Sequence, residues 1–127
     1  SYHPLASKKQ IEWSDLEDVR LITVSRDSGN RTLLDNALSA EGIHLNSFYE
    51  VQHLSTSLGL VESGLGVAIL PRMTMPGPDH DTLCSRDLPE PRIQRSIGLV
   101  RSNSHSLSST AQLFIDLLLE HWGKEAV

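Results

Sequence analysis

Two polar segments contain the residue types best suited to binding a small anion. The first has Ser28 and Gly29 in a small, flexible turn, followed two positions later by the guanidinium of Arg31. The second has the hydroxyls of Ser55 and Thr56 at the expected start of a helix. The backbone N–H groups of a helix start and a nearby guanidinium can together hold a carboxylate or a phosphate. The hydroxyls could instead only cap their own helices, and the residue types leave both interpretations open.

The sequence patterns of catalysis and of metal binding do not accompany these segments. The 6 histidines never fall at the intervals of three or four residues that place two imidazoles on one helix face. Gly64 and Gly66 close a predicted helix, whereas the glycines of a dinucleotide-binding fingerprint follow a strand and open a helix. Ser63 lacks the first glycine of a nucleophile elbow. We therefore expect no catalysis, no metal and no cofactor.

The single cysteine and the charge balance indicate the kind of protein. Cys84 lies in a strand-like pattern, so we expect a small packed side chain rather than a nucleophile. A lone cysteine forms no disulfide within the chain, which is compatible with a reducing cytosol. Among the 127 residues, 11 Lys and Arg stand against 16 Asp and Glu, a net charge of −5 that disfavours binding of DNA or RNA by this chain.

The length of the apolar runs argues against a membrane protein. No run approaches the roughly 18 to 20 residues that a bilayer-spanning helix needs, and the start of the chain lacks the blocks of a signal peptide. We therefore expect a soluble, cytoplasmic protein without membrane contacts. The chain starts at Ser1 rather than at a methionine, so we also expect it to be a piece of a longer chain.

Apolar periodicity alternates between the spacings of strands and of helices. The predicted strands cover residues 21–24, 48–52, 67–70, 82–88 and 95–101. A helical turn over residues 14–20 would be capped by Ser14 and Glu17, and another turn is expected near Met73. The strands alternate with two longer helices, which predicts parallel β-α-β units with helices on both faces of the sheet, an α/β fold. Ligands bind such sheets at the carboxyl ends of the strands, where the loops at residues 25–31 and 52–57 lie.

Three helices have clear apolar stripes. The first ends at Gly42, a position suited to a left-handed cap, and the second ends at Gly64 and Gly66. Ser109 and Gln112 would form a capping box on the last helix. The stripes consist of Leu33, Leu34, Ala37 and Leu38, of Leu54, Leu58, Val61 and Leu65, and of Ala111, Phe114, Ile115, Leu118 and Trp122. For Phe114 and Trp122 we expect packing in the core rather than a surface for a partner.

Several short motifs occur in an order that resembles a known family. They are HPLA at residues 3–6, WSDL at 13–16, SGNR at 28–31, LGLVESGLGVAILP at 58–71 and IGLV at 97–100. The order resembles the C-terminal effector-binding domain of LysR-type transcriptional regulators, and the stretch at 58–71 is its most specific part. The likeness covers nearly the whole chain.

The resemblance implies a fold similar to the type 2 periplasmic binding proteins, in which two Rossmann-like subdomains share a mixed, mostly parallel architecture and are joined by crossover strands. Residues 1–93 would be the second regulatory subdomain, which binds the effector. Residues 94–127 would be the return crossover strand and the C-terminal helix of the first subdomain, which is incomplete here. The winged helix-turn-helix, the linker helix and most of the first subdomain would lie outside this sequence.

The resemblance also implies a function, which is sensing of a small-molecule effector in the cleft between the subdomains of a bacterial transcriptional regulator. The matching positions are Ser28, Gly29 and Arg31 in the first loop and Ser55 and Thr56 at the helix start, although many relatives have a glutamine where Ser55 stands. The effector would be a carboxylate or another polar metabolite. Partners would be further copies of the protein, in a dimer or tetramer, with DNA bound only by the absent winged helix-turn-helix. The alternative is a solute-binding protein or an enzyme of the same fold.

Overall fold

A computed structural model of the protein describes residues 3–122. The chain divides into two compact units, Ser1–Gln94 and Arg95–Val127. The assignment of residues 1–93 and 94–127 to the second and first regulatory subdomains stays a prediction.

A three-stranded parallel sheet forms the centre of the first unit. Its strands are β1 (Leu21–Val24), β2 (Ser47–Val51) and β3 (Val67–Ala68), in the order β2-β1-β3. All four residues of β1 are buried, as expected for a central strand whose two faces are both covered. Side chains of the edge strand β2 alternate between half-buried and exposed. The predicted α/β fold with a parallel sheet is confirmed, and within residues 3–122 every strand pair is parallel rather than mixed.

One helix follows β1 and leads to β2, and a second helix follows β2 and leads to β3. Helix α1 (Gly29–Ala40) starts after Ser28, whose Oγ accepts a hydrogen bond from the Asn30 N–H, and it is followed by Gly42 at φ 70°. Helix α2 (Leu54–Glu62) is followed by Gly64 at φ 76°. Both glycines have the left-handed conformation that the sequence predicts for helix caps.

The core of this unit lies between α1 and a short 3-10 helix, Trp13–Leu16. Buried apolar side chains there are those of Ile11, Trp13, Leu16, Leu34 and Leu38. The indole N–H of Trp13 donates to the Glu90 carbonyl at 2.9 Å, so its polar atom is satisfied. The predicted capping of this turn by Ser14 and Glu17 is wrong. Glu12 and Asp15 form the capping box instead, because the N-cap lies two residues earlier than predicted.

The carboxylate of Asp15 gives this turn a pH-dependent stability. Its hydrogen bond from the Glu12 N–H at 3.0 Å, and then its bond to the Lys8 ammonium at 2.6 Å, hold the pKa of Asp15 below its ordinary value of 3.8. The unfolded carboxyl therefore takes up a proton at higher pH than the folded one. The stabilisation is fully present above pH 3.8 and is lost as the pH falls through the lower folded pKa.

We expect Asp15→Asn to remove part of the loss of stability in acid. Urea unfolding of both proteins, at neutral pH and at about pH 3, should show a smaller drop in the free energy of unfolding for the variant. Glu17→Gln, at an exposed position of the same region, is the matched control and should behave like the wild type. An equal drop for Asp15→Asn and the wild type would contradict the assignment.

Two predicted strands are absent, and one is shorter than predicted. Residues 82–88 and 95–101 form no strand, because a strand needs a neighbouring strand for its backbone groups and residues 3–122 supply none there. The third strand covers only Val67–Ala68, and its residues are half-buried rather than buried. Without the strand at 82–88, Cys84 is exposed, so the expectation of a packed cysteine is wrong. The turn near Met73 is confirmed as the 3-10 helix Arg72–Thr74, and a further one, Pro4–Ser7, was not predicted.

The second unit contains helix α3 (Ser109–Trp122). The predicted helix is confirmed, but its capping box is wrong. The Oγ of Ser108, not Ser109, accepts from the Ala111 N–H at 3.2 Å, while the Gln112 amide donates to Asp116. Phe114 is 62% exposed and Trp122 is 50% exposed, so the prediction that both pack in a core is also wrong.

Candidate functional site

The two predicted binding segments lie side by side at the carboxyl edge of the sheet. The first connects β1 to α1, and the second connects β2 to α2. Because β1 and β2 are neighbouring parallel strands, both loops leave the sheet at the same edge. The Ser25 N–H donates to the Val51 carbonyl at 2.8 Å, which joins the first residue after β1 to the last residue of β2. The topology thus brings the two helix starts together.

The start of α1 is capped by its own hydroxyl. Ser28 is half-buried, and its Oγ accepts from the Asn30 N–H at 3.3 Å, so capping is one use of this side chain. Gly29 is exposed, and a Cβ at this position would meet no atom within 4 Å. The surface at Gly29 is therefore open to a ligand.

The start of α2 has no side-chain cap. His53 occupies the N-cap position, and its side chain makes no capping hydrogen bond. The side chains of Ser55 and Thr56, in the first turn, are exposed. The Thr56 and Ser57 N–H groups donate to the His53 carbonyl at 3.1 and 3.3 Å, so the N–H groups of Leu54 and Ser55 are the donors that this helix start offers to a negatively charged ligand. The first turn of α2 is thus available to a carboxylate.

Arg31 has a position that sequence patterns did not predict. The residue is 7% exposed, and its guanidinium donates to Asp35 and to Thr23 inside the unit. Burial of this kind depends on the tertiary packing of α1 on β1, which the local sequence does not report. The contact of Arg31 with an effector stays a prediction.

Ser57 is a notable residue that the prediction of site residues missed. It follows Ser55 and Thr56 on α2, is fully buried, and its Oγ has no hydrogen-bond partner among residues 3–122. A buried hydroxyl without a partner is uncommon in proteins. The run of three consecutive hydroxyl side chains at a helix start was the sequence signal for this position.

The described residues contain neither a cluster of metal-ligand side chains nor a helix that could span a membrane. Within residues 3–122, no three His, Cys, Asp or Glu side chains are grouped so that they could hold a metal ion. No helix in the same range combines the length and the apolar character required to span a membrane.

The family of this chain follows from a match over nearly its whole length. Residues 1–123 match the model of the LysR substrate binding domain. The chain belongs to this family. The resemblance inferred from the order of motifs is therefore confirmed, and the function of the domain is effector binding in LysR-type regulators.

Curated relatives of this LysR domain are transcriptional regulators. The HTH-type transcriptional regulator YbhD of Escherichia coli (strain K12) is 43% identical over 120 residues, which cover 94% of this chain and 38% of YbhD. The probable nitrogen assimilation transcriptional activator of Synechococcus elongatus is 34% identical over 99 residues, covering 77% of this chain and 32% of that protein. The LysR domain thus spans only about two fifths or less of these relatives.

Solved structures of the same family share the fold. The effector binding domain of QuiR in complex with shikimate superimposes with a TM-score of 0.74 and 27% identity, over 98% of this chain and 59% of that one. HinK, a LysR family transcriptional regulator from Pseudomonas aeruginosa, gives a TM-score of 0.70 at 22% identity, over 98% and 43% of the two chains. The predicted fold class of this LysR domain is confirmed by both.

Proposed function

We propose that this LysR domain binds a small carboxylate at the paired starts of α1 and α2. The observation that carries the proposal is the first turn of α2, which has no side-chain cap and lies beside the start of α1. Backbone N–H groups would hold the carboxylate, and Ser28, Gly29, Ser55 and Thr56 would contact the ligand. Shikimate, which is bound by the related domain of QuiR, is a hydroxylated carboxylate and fits this chemistry.

In the full-length protein, effector binding would regulate transcription without catalysis. The effector would bind one closure state of two subdomains more tightly than the other and would thereby shift the arrangement of a dimer or tetramer. DNA would be bound by a winged helix-turn-helix outside this chain, in accord with the chain's net charge of −5. The protein would act in the cytoplasm.

The decisive test removes one backbone N–H from the start of α2. His53 has φ −123° and ψ 141°, the extended conformation that a following proline requires, and Leu54 occupies the first helical position, where proline is favoured. Leu54→Pro therefore keeps the helix and deletes one donor. Leu54→Ala, which loses the same side chain but keeps the N–H, is the matched control.

Binding is measured by calorimetry on the full-length protein with shikimate, quinate, benzoate and succinate, and with methyl shikimate as an uncharged probe. We expect at least one carboxylate to bind and the ester to bind far more weakly. Leu54→Pro should bind that carboxylate about tenfold or more weakly than Leu54→Ala does, since hydrogen bonds to charged groups contribute about 1.5–3 kcal/mol. The proposal fails if no carboxylate of the panel binds, or if the two variants bind equally well.

A further inference from the structure

A chain of buried and partly buried hydrogen bonds connects the first turn of α1 to the sheet. The Nε of Arg31 donates to both carboxylate oxygens of Asp35, each at 2.9 Å, and its Nη1 donates to the Thr23 Oγ1 at 2.8 Å. Thr23 lies on the central strand β1 and is 5% exposed. Arg31 thus bonds to its own helix and to the strand beneath it.

The same series of hydrogen bonds continues from β1 to β2. The Oγ1 of Thr23 and the Oγ of Ser47 are 2.6 Å apart, and the Ser47 Oγ donates to the Tyr49 carbonyl at 2.9 Å. Because Ser47 uses its only hydroxyl proton on Tyr49, Thr23 must be the donor to Ser47. Each hydroxyl therefore accepts one hydrogen bond and donates one. Arg31 donates to Thr23, Thr23 donates to Ser47, and Ser47 donates to the Tyr49 carbonyl.

The buried hydrogen bond to Thr23 contributes more to fixing the position of Arg31 than the ion pair with Asp35 does. The Asp35 side chain is 51% exposed, so solvent screens its attraction to Arg31, and an exposed pair of this kind contributes little. The bond from the Arg31 Nη1 to Thr23 is buried, and breaking it would leave that nitrogen of a charged group without its acceptor in the interior. The position of Arg31 is therefore fixed mainly by the sheet.

We infer that Arg31 is a positioning residue for effector binding. By holding the first turn of α1 to β1 and β2, it fixes Ser28 and Gly29, which lie three and two positions earlier, in the geometry that receives the effector. This inference rests on the proposed carboxylate site. It assigns the same role to Thr23, which is buried in the strand behind that turn.

Variants of Thr23 separate positioning from direct contact with the effector. Thr23→Val removes the hydroxyl with little change in shape, whereas Thr23→Ser retains it and tests for rescue. If Arg31 acts through Thr23, then Thr23→Val weakens binding and Thr23→Ser restores it. If Arg31 only contacts the effector itself, both variants bind like the wild type.

Calorimetry is performed on the full-length protein, well below its melting temperature. The ligand is whichever of shikimate, quinate, benzoate and succinate binds the wild type most tightly. We expect Thr23→Val to bind it about tenfold more weakly and Thr23→Ser to bind it within about twofold of the wild type. The double variant of Arg31→Met and Thr23→Val should bind no more weakly than Arg31→Met alone, since both residues act through one bond. Wild-type affinity in Thr23→Val, even at a lowered melting temperature, would overturn the inference.

A second measurement needs no effector and separates this inference from the proposed site. Amide hydrogen exchange at residues 28–32 should be faster in Thr23→Val than in Thr23→Ser, while exchange in α2 stays the same. If no carboxylate binds the wild type, the proposed site fails and the exchange data alone decide the positioning role. Equal exchange at residues 28–32 in the two variants would refute it.

Discussion

Gly66→Ala is expected to lower the free energy of unfolding by about 1–3 kcal/mol, the usual cost of forcing extra volume into a packed region. A Cβ on Gly66 would overlap the Arg20 carbonyl. The atom it meets is backbone, which cannot rotate away as a side chain would. The same carbonyl accepts a hydrogen bond from the Val67 N–H at 3.0 Å, so relief of the overlap also strains the entry to β3.

Gly59→Ala is the matched control for this substitution. Gly59 lies inside α2, and a Cβ there meets no atom within 4 Å. Alanine is the better helix former, so this variant should be more stable by about 0.5–1 kcal/mol. Urea unfolding of the two variants should therefore give changes of opposite sign. A Gly66→Ala protein as stable as the wild type would show that the Gly66 backbone does not lie directly against the Arg20 carbonyl.

Local patterns predicted the β1-α1-β2-α2 part of the fold because each element there carries its own signal. The apolar run at Leu21–Val24 and the helix stripe that precedes Gly42 depend on nearby residues alone. The strands predicted at 82–88 and 95–101 failed because a strand exists only with a partner, and an alternating pattern does not report whether one is present. The exposure of Phe114 and Trp122 likewise depends on what surrounds α3 and not on its periodicity.

The same distinction applies to the candidate site. The two loops could be predicted, since strand and helix boundaries place them at one edge of the sheet. The burial of Arg31 was not predicted, although a first signal was available: Thr23 is a polar residue within a buried strand, and such a hydroxyl needs a partner. Asp35, four residues after Arg31, is at the spacing of a helical ion pair and was the second signal.

Ser57→Ala is expected to raise the free energy of unfolding by about 1–3 kcal/mol, the cost of burying a polar group without a hydrogen bond. Ser57 is fully buried and its Oγ has no partner within residues 3–122. Alanine at this position removes the polar atom, and it also favours the helix. Urea unfolding of the wild type and the variant measures the difference.

Ser63→Ala, at the other end of the same helix, distinguishes this effect from a general preference for alanine. The Ser63 Oγ is exposed and donates to the Gly59 carbonyl at 2.8 Å, so its loss should change stability by less than about 0.5 kcal/mol.

If Ser57→Ala is no more stable than the wild type, the hydroxyl has a partner in solution, and a buried water is the group that would satisfy it. If the variant is more stable, the domain retains a destabilising hydroxyl directly beside Ser55 and Thr56. Proteins accept such a cost where binding depends on it, so a gain in stability accompanied by weaker carboxylate binding would place Ser57 in the effector site.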